Sequence, residues 1–264
     1  MSSPHRKSTN HLVAIHRPSH HETREDFTSR LEARKVQWFA SPLIKHNIVK
    51  SEWTIPNDSL DAHVQSAGLL VPCSIIVAKA EFETTEVLLE IMQHQGTGQV
   101  LSNPEFKSDG GADRTSARAE LFLAHSQICI DREYASNKRV QVMLILERRG
   151  ETTDGGLATN DNDYRDESKV ESIIDRFINL GIVEKNVLKV TVFLPDIHMQ
   201  MDVLPEHQGQ AASRIGCVSH VEFENQDRMM ELMNDGDLHE LITTLKQDFT
   251  LTVTAADTVV VYQK

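Results

Sequence analysis

Between Pro195 and His207 the chain reads PDIHMQMDVLPEH, which places two aspartates, a glutamate and two histidines within thirteen positions. Carboxylates and imidazoles so crowded are the ligand types of a catalytic zinc or the partners of an acid–base pair. Their spacing argues otherwise. Asp196, His198, Gln200 and Asp202 share one parity while Ile197, Met199, Met201 and Val203 share the other, the alternation of a strand with one wet and one packed face. At roughly 3.3 Å per residue, Asp196 and Asp202 stand about 20 Å apart on an extended chain, too far to share an ion. Only Asp196 and His198 can act together, and a third ligand must come from elsewhere, with His220 the candidate and Glu222 as general base. That set defines the metal-assisted hydrolase alternative. His220, Glu222 and Glu224 themselves alternate with Val221 and Phe223, so they too read as the polar face of a strand.

Other groupings carry less chemistry. His5, His11, His16 and the HHE run at 20–22 have no HExxH or paired Cys/His spacing. NDND at 160–163 offers calcium-type oxygens without the glycine and closing glutamate of a calcium loop. HQGTGQ at 94–99 holds a GxG but follows a predicted helix, whereas dinucleotide loops follow a strand. GxSxG and GxxxxGK[ST] are absent. SDGGADRTSAR at 108–118 combines glycines with Arg114 and reads first as a turn between strands, with an anion cradle as the alternative. Met229, Met230 and Met233 suit either an adaptable partner surface or a core short of aromatics. RKS at 6–8 and RPS at 17–19 set serines beside basic residues, where phosphate would cancel positive charge.

The elements that must position these residues are legible from periodicity. Residues 1–24 bury too little to offset their ordering entropy and are predicted to be a disordered arm. Phe27, Leu31 and Trp38 loosely follow helical spacing before Pro42, a short helix is predicted at 59–67, and a buried strand at 71–78. Helices are predicted at 84–94, with a threonine cap, and at 170–178, with Gly181 as C-cap. Strands are expected at 117–130 and 139–147, reversing at ASNK, then at 187–194, 197–203 and 216–224. A helical pair at 226–234 and 238–246 breaks at Gly236 with Asp237 as the second cap. The chain closes in a predicted hairpin, FTLTVT and TVVVYQ turning at AAD. The polar stretch 149–168 reads as a surface loop or linker, and no internal repeat is visible.

At 264 residues the chain is long enough for a real core without disulfides or metal staples. Cys73, Cys129 and Cys217 lie far apart with no CxxC spacing, which suits reduced, buried thiols in a cytoplasmic or nuclear protein. No apolar run approaches the length of a membrane span, and the polar N-terminal residues contain no signal-type apolar region. Residues 1–50 carry nine Lys/Arg against four Asp/Glu and the remainder carries 18 against 35, so a basic arm precedes an acidic body.

The expectation is therefore an α+β fold, a mostly antiparallel sheet covered by helices, with the arm at 1–24 and one body at 25–264. Function is read as non-catalytic binding or assembly, in the manner of an adaptor or a small viral structural or accessory protein. A protein partner or self-association into a homo-oligomer is expected, and no cofactor. Arg6, Lys7, Arg17, Arg24 and Arg114 are the candidate binding residues, with weak RNA binding through residues 1–24 as a further alternative.

Overall fold

The computed structural model describes residues 5–19, 21–66, 75–94, 118–134, 139–149, 163–196 and 214–264. Eight antiparallel strands close on themselves in the order β1-β3-β2-β8-β5-β7-β6-β4. They are β1 (His5–Arg17), β2 (Ile48–Asn57), β3 (Ile76–Phe82), β4 (Arg118–Asp131), β5 (Val140–Arg148), β6 (Val187–Pro195), β7 (Ile215–Phe223) and β8 (Phe249–Gln263). Helices α1 (Arg24–Ala40), α2 (Pro42–Asn47), α3 (Asp61–Ser66) and α4 (Thr85–Gln93) accompany the first four strands. The last four are accompanied by α5 (Asp163–Ile178), α6 (Gly181–Asn186), α7 (Gln226–Met233) and α8 (Gly236–Asp248).

The predicted open sheet covered by helices is thus a closed barrel. Each half is a β-α-β-β-α-β unit, and its four strands lie side by side as β4-β1-β3-β2 or β8-β5-β7-β6. Closure falls to the two longest strands of the fold. β8 pairs with β5 through Phe249–Ala256 and with β2 through Ala255–Gln263, while β4 pairs with β1 and, through Ala124–Asp131, with β6.

Two predicted hairpins disappear for this reason. Residues at AAD do not turn: Ala255 and Ala256 are buried inside one continuous strand, and no glycine or asparagine supplies a left-handed residue there. β4 and β5 are consecutive in sequence yet pair with other strands, so the segment between them joins the two halves.

The predicted disordered arm is also corrected, because His5–Arg17 is β1, paired on both sides by β3 and β4. Its short apolar run LVAI is fully used: Val13 and Ile15 enter the interior while Leu12 and Ala14 pack outward under helices. β2, unread in the sequence, fills the place between β3 and β8.

Local chemistry sets the helix limits. Thr23 caps α1 by accepting from Asp26 N–H, with Glu25 and Asp26 in the first turn complementing the helix dipole. Thr84 caps α4 in the same way, Asn225 caps α7, and Asp235 rather than Asp237 caps α8. Gly181 opens α6 instead of ending the helix before it.

The halves superpose in register although their sequences do not. In each, a bulge follows the first β2-type residue: Ile48 faces Phe82 before Lys50 faces Glu81, and Val187 faces Phe223 before Lys189 faces Glu222. Phe82 and Phe223 are therefore equivalent, and with them Val13 and Met143, which share the same partners three residues along. The helical connection matches as well. Leu31 and Val170 are each 1% exposed and precede the equivalent Ile48 and Val187 by the same spacing.

Three layers of apolar packing result. Val13, Ile15, Phe122, Ile145, Phe193 and Val218 belong to the interior, which an eight-stranded barrel fills with side chains. The outer face of the first half packs against α1, α2 and α4. On the second half the covering helices are α5 to α8, with Val64 of α3 and Leu60 of the turn before it joining the same cluster. No helix of the described residues is long and apolar enough to cross a membrane.

Candidate functional site

Two polar constellations interrupt these layers. The first lies in the barrel interior. Lys79 on β3 is buried, with Nζ 3.2 Å from Glu52 Oε2, 3.3 Å from His220 Nδ1 and 4.9 Å from the centroid of Phe193. Burial and the Lys79 charge push the His220 pKa well down, so the imidazole is neutral and its Nδ1 accepts from the ammonium. Nε2–H then donates to Thr54 Oγ1 at 3.4 Å, Thr54 meets Thr258 at 3.4 Å, and Thr258 donates to Gln141 Oε1 at 2.6 Å. His11, beside them, meets Ser126 Oγ at 3.2 Å and sets its ring edge-on to Phe193 at 5.2 Å. Burial first, and then Lys79, lower its pKa to about 4. Burial alone would raise the pKa of Glu52, but Lys79 and Lys50 hold it net below its ordinary value. At the other end of the interior Arg17 joins Glu120 at 3.2 Å and Glu147.

This layer is rich in titratable groups, yet they bond to one another. It reads as a closed network that fixes the inside of the barrel.

The second constellation surrounds a cavity of about 100 Å³ between α1 and the outer face of the first half. The inward stripe of α1 runs Phe27, Leu31, Arg34, Trp38, so an arginine stands where a fourth apolar residue would be expected. On the outward face of β1 the series Leu12, Ala14 ends in His16, and on β2 Ser51 precedes Trp53; all of them line the cavity. His16 and Ser51 are buried. Burial, then the guanidinium charges of Arg34 and Arg30, lower the His16 pKa to about 3, which leaves the ring neutral at physiological pH. Arg30 is itself engaged by Glu22 at 2.6 and 2.8 Å. Lys35 Nζ sits 5.1 Å from the Trp53 ring centroid, a cation–π contact at the rim. Both tryptophans of the chain belong to this wall. The arrangement combines flat aromatic surface, the Arg34 guanidinium and the neutral His16 imidazole, with Lys35 at the rim, and it is suited to a planar, mostly apolar molecule carrying an acidic oxygen.

The sequence-predicted residues scatter. Arg6 and Lys7 are on the β1 backbone, opposite Gln127 and Ser126. Arg17 is held by its two glutamates, and Arg24 begins α1 and donates to Pro56 O at 3.3 Å. Arg114 lies outside the described residues, as do His198 and the 197–203 strand, most of NDND, and Cys73. Asp196 follows β6 directly, with its N–H bonded to Leu123 O at 2.8 Å, whereas His220 points into the interior. Among the described residues no group of three or more His, Cys, Asp or Glu is arranged to hold a metal ion.

Burial raises the Cys129 and Cys217 pKa values to about 11, which keeps both as thiols. Met229 and Met233 are buried and serve the core. Arg34 and Ser51 were missed by spacing, and His16 was weighed only among loose histidines without a metal pattern, because the three come from three elements. Each leaves a small trace, a polar residue at a position whose periodicity calls for an apolar one.

No family model and no curated protein matches the chain. Among solved structures it is similar to a monooxygenase candidate from Fusobacterium nucleatum, at 10% identity over 97% of this chain and 99% of that one, TM-score 0.44. It is similar also to a monooxygenase candidate from Lactobacillus acidophilus, at 7% over 96% and 100%, TM-score 0.42. A third is an anthrone oxidase-like protein, at 7% over 98% and 95%, TM-score 0.48. The non-catalytic adaptor or assembly reading, with its viral analogy, is corrected: the mobile basic arm it relied on is a barrel strand. RNA binding by a free arm falls with it. The hydrolase alternative falls as well, since His220 belongs to the interior network.

Proposed function

We propose that the chain is an enzyme that binds a planar, largely apolar aromatic compound in the cavity beneath α1 and moves a proton to or from an acidic position on it. The observation that carries this reading is the convergence of Arg34 and His16 on a cavity walled by Trp38 and Trp53. Arg34 stabilises an enolate or phenolate oxygen through charge-assisted hydrogen bonds in a site shielded from water. His16 takes the proton. A developing oxyanion beside it offsets the burial and guanidinium effects that otherwise hold its pKa low, so its basicity rises as the reaction proceeds. Trp53 and Ser51 orient the ring system and its polar edge.

4-Nitrophenol is the binding probe, because its own absorbance reports its ionisation while quenching of the two tryptophans reports occupancy. Saturable quenching with the bound phenol ionising at least one pH unit below its value in buffer is expected, and Arg34→Met should abolish that shift. Binding with no shift, or with the neutral form favoured, would overturn the reading. 2-Indanone, a flat ketone with an acidic methylene, then tests turnover. Deuterium exchange above the buffer rate, lost in His16→Gln, is expected, and oxygen uptake measured alongside separates an oxygenase from a simple proton-transfer enzyme.

A further inference from the structure

The second half of the barrel carries a cavity in the place equivalent to the one beneath α1. It too measures about 100 Å³ and lies between the outer sheet face and the covering helices, here α5, α7 and α8. The shared register matches the two walls position by position. His16 corresponds to Leu146, Ser51 to Val190, Trp53 to Val192, Arg34 to Ile173, Lys35 to Ile174 and Trp38 to Phe177. His16, Ser51, Arg34 and Lys35 of the first cavity are thus replaced by aliphatic side chains in the second, and the equivalents of Gln37 and Lys79, Arg176 and His220, do not line it.

We propose that this second cavity is a separate binding site for a neutral apolar small molecule of about the size of benzene. It recurs where the fold leaves room between sheet and helices in both halves. Among the described residues its polar side-chain neighbours are Cys217 and Ser219, which meet each other at 3.7 Å, so a water inside would lack the two to four partners that hold buried water in place. Dry apolar cavities of about 150 Å³ take up benzene or xenon. Met229 and Met233 form part of the wall, and thioether side chains rearrange around an entering molecule more readily than branched ones. A charged or strongly hydrogen-bonding ligand is excluded, because nothing in the lining satisfies it.

The test is a benzene titration of the full chain with methyl-labelled Ile, Leu, Val and Met, followed by NMR. Saturable one-to-one shifts at Ile174, Leu241 and Met229 are expected, with phenol binding there at least tenfold more weakly. Ile174→Phe, which fills the cavity, should remove the shifts. Absence of saturable change at those methyls, or equal affinity for phenol, would overturn the proposal. The benzene-to-phenol comparison on the unsubstituted protein decides the question even where the filled variant folds poorly. Trp38 and Trp53 report only on the first cavity, so failure here leaves the reading of that site untouched.

Discussion

Lys79 and His220 occupy equivalent positions in the two halves, each three residues before the phenylalanine at the bulge, and they meet at 3.3 Å across the barrel. Arg17 and Glu147 are related in the same way and form an ion pair. His11–Ser126 and Gln141–Thr258 are equivalent hydrogen bonds, one from each half. In a symmetric assembly of identical halves, these contacts would set like against like at the axis: lysine on lysine, arginine on arginine. Two halves within one chain escape that constraint, and the interior has resolved each clash into a complementary pair.

Lys79 and Glu52 are coupled unequally, and removing each should show it. Glu52→Leu leaves the buried ammonium with only a neutral imidazole, and a loss of about 3 kcal/mol is expected for a broken buried pair. Lys79→Met leaves Glu52 with Lys50 at 2.6 Å and partial access to water, so its cost should be much smaller. Urea denaturation of the two variants and of the double variant measures this. A double variant more stable than Glu52→Leu alone is the expected sign of coupling.

Acid should destabilise the fold before carboxylates titrate. His11, His16 and His220 are all buried with lowered pKa values, the first two to about 4 and about 3. Below the unfolded value of roughly 6.5 the unfolded chain binds protons that the folded chain refuses. The stabilisation is therefore complete above that pH and is lost progressively as pH falls from about 6.5 toward 4. Chemical denaturation midpoints across this range should decline, and His11→Asn should flatten the decline. A midpoint constant from pH 7 to 4 would contradict neutral burial of these rings.

What the sequence disclosed depended on how local each signal was. The stripe Val170, Ile174, Phe177 and the capped helix at Thr84 are local, and both lie in helices, although the first helix begins at Asp163, inside the stretch read as a loop. Closure is not local. Nothing in TLTVTAADTVVVY announces that its two ends pair with β5 and β2, and Ala-Ala-Asp resembles a turn until its burial is known. β1 escaped notice because Arg, Lys and His flank a run of only four apolar residues, and the partners that bury it lie more than 60 residues away. The repeat was invisible for a related reason. From Leu31 to Ile55, set against Val170 to Leu194, only Glu32, Asn47 and Lys50 keep their identity in Glu171, Asn186 and Lys189. Burial pattern and register are retained, and neither is written in residue names.

The β2–β8 seam should carry much of the closure energy. Among the described residues, 257–263 of β8 pair with β2 alone, and Tyr262 stacks on Phe39 at 5.5 Å while its hydroxyl donates to Lys45 O at 3.2 Å. Truncation after Ala256 exposes the β2 edge and the side of α1 at once. A melting temperature lower by ten degrees or more is expected, with increased amide exchange in β2 and little change in β5–β7 until the barrel opens. Uniform exchange across both halves would mean that the seam is not a separate source of stability.

The polar wall of the first cavity should cost stability that its counterpart does not lose. Arg34 and His16 sit where the second half has Ile173 and Leu146, and both equivalents are accommodated by the same backbone. Arg34→Ile together with His16→Leu therefore copies an arrangement the fold already tolerates, and it removes a guanidinium and an imidazole from a largely apolar surface. A gain of about 1–2 kcal/mol is expected, the size usual when a site is exchanged for packing. The same variant should lose the 4-nitrophenol ionisation shift. Its pH dependence should weaken as well, because one of the three refused protons has gone. If stability instead falls by a similar amount, Arg34 and His16 are structural supports of α1 and the cavity beneath it has another purpose. Denaturant melts and the nitrophenol titration on one protein sample separate these outcomes, because only a functional polar site trades the first quantity against the second.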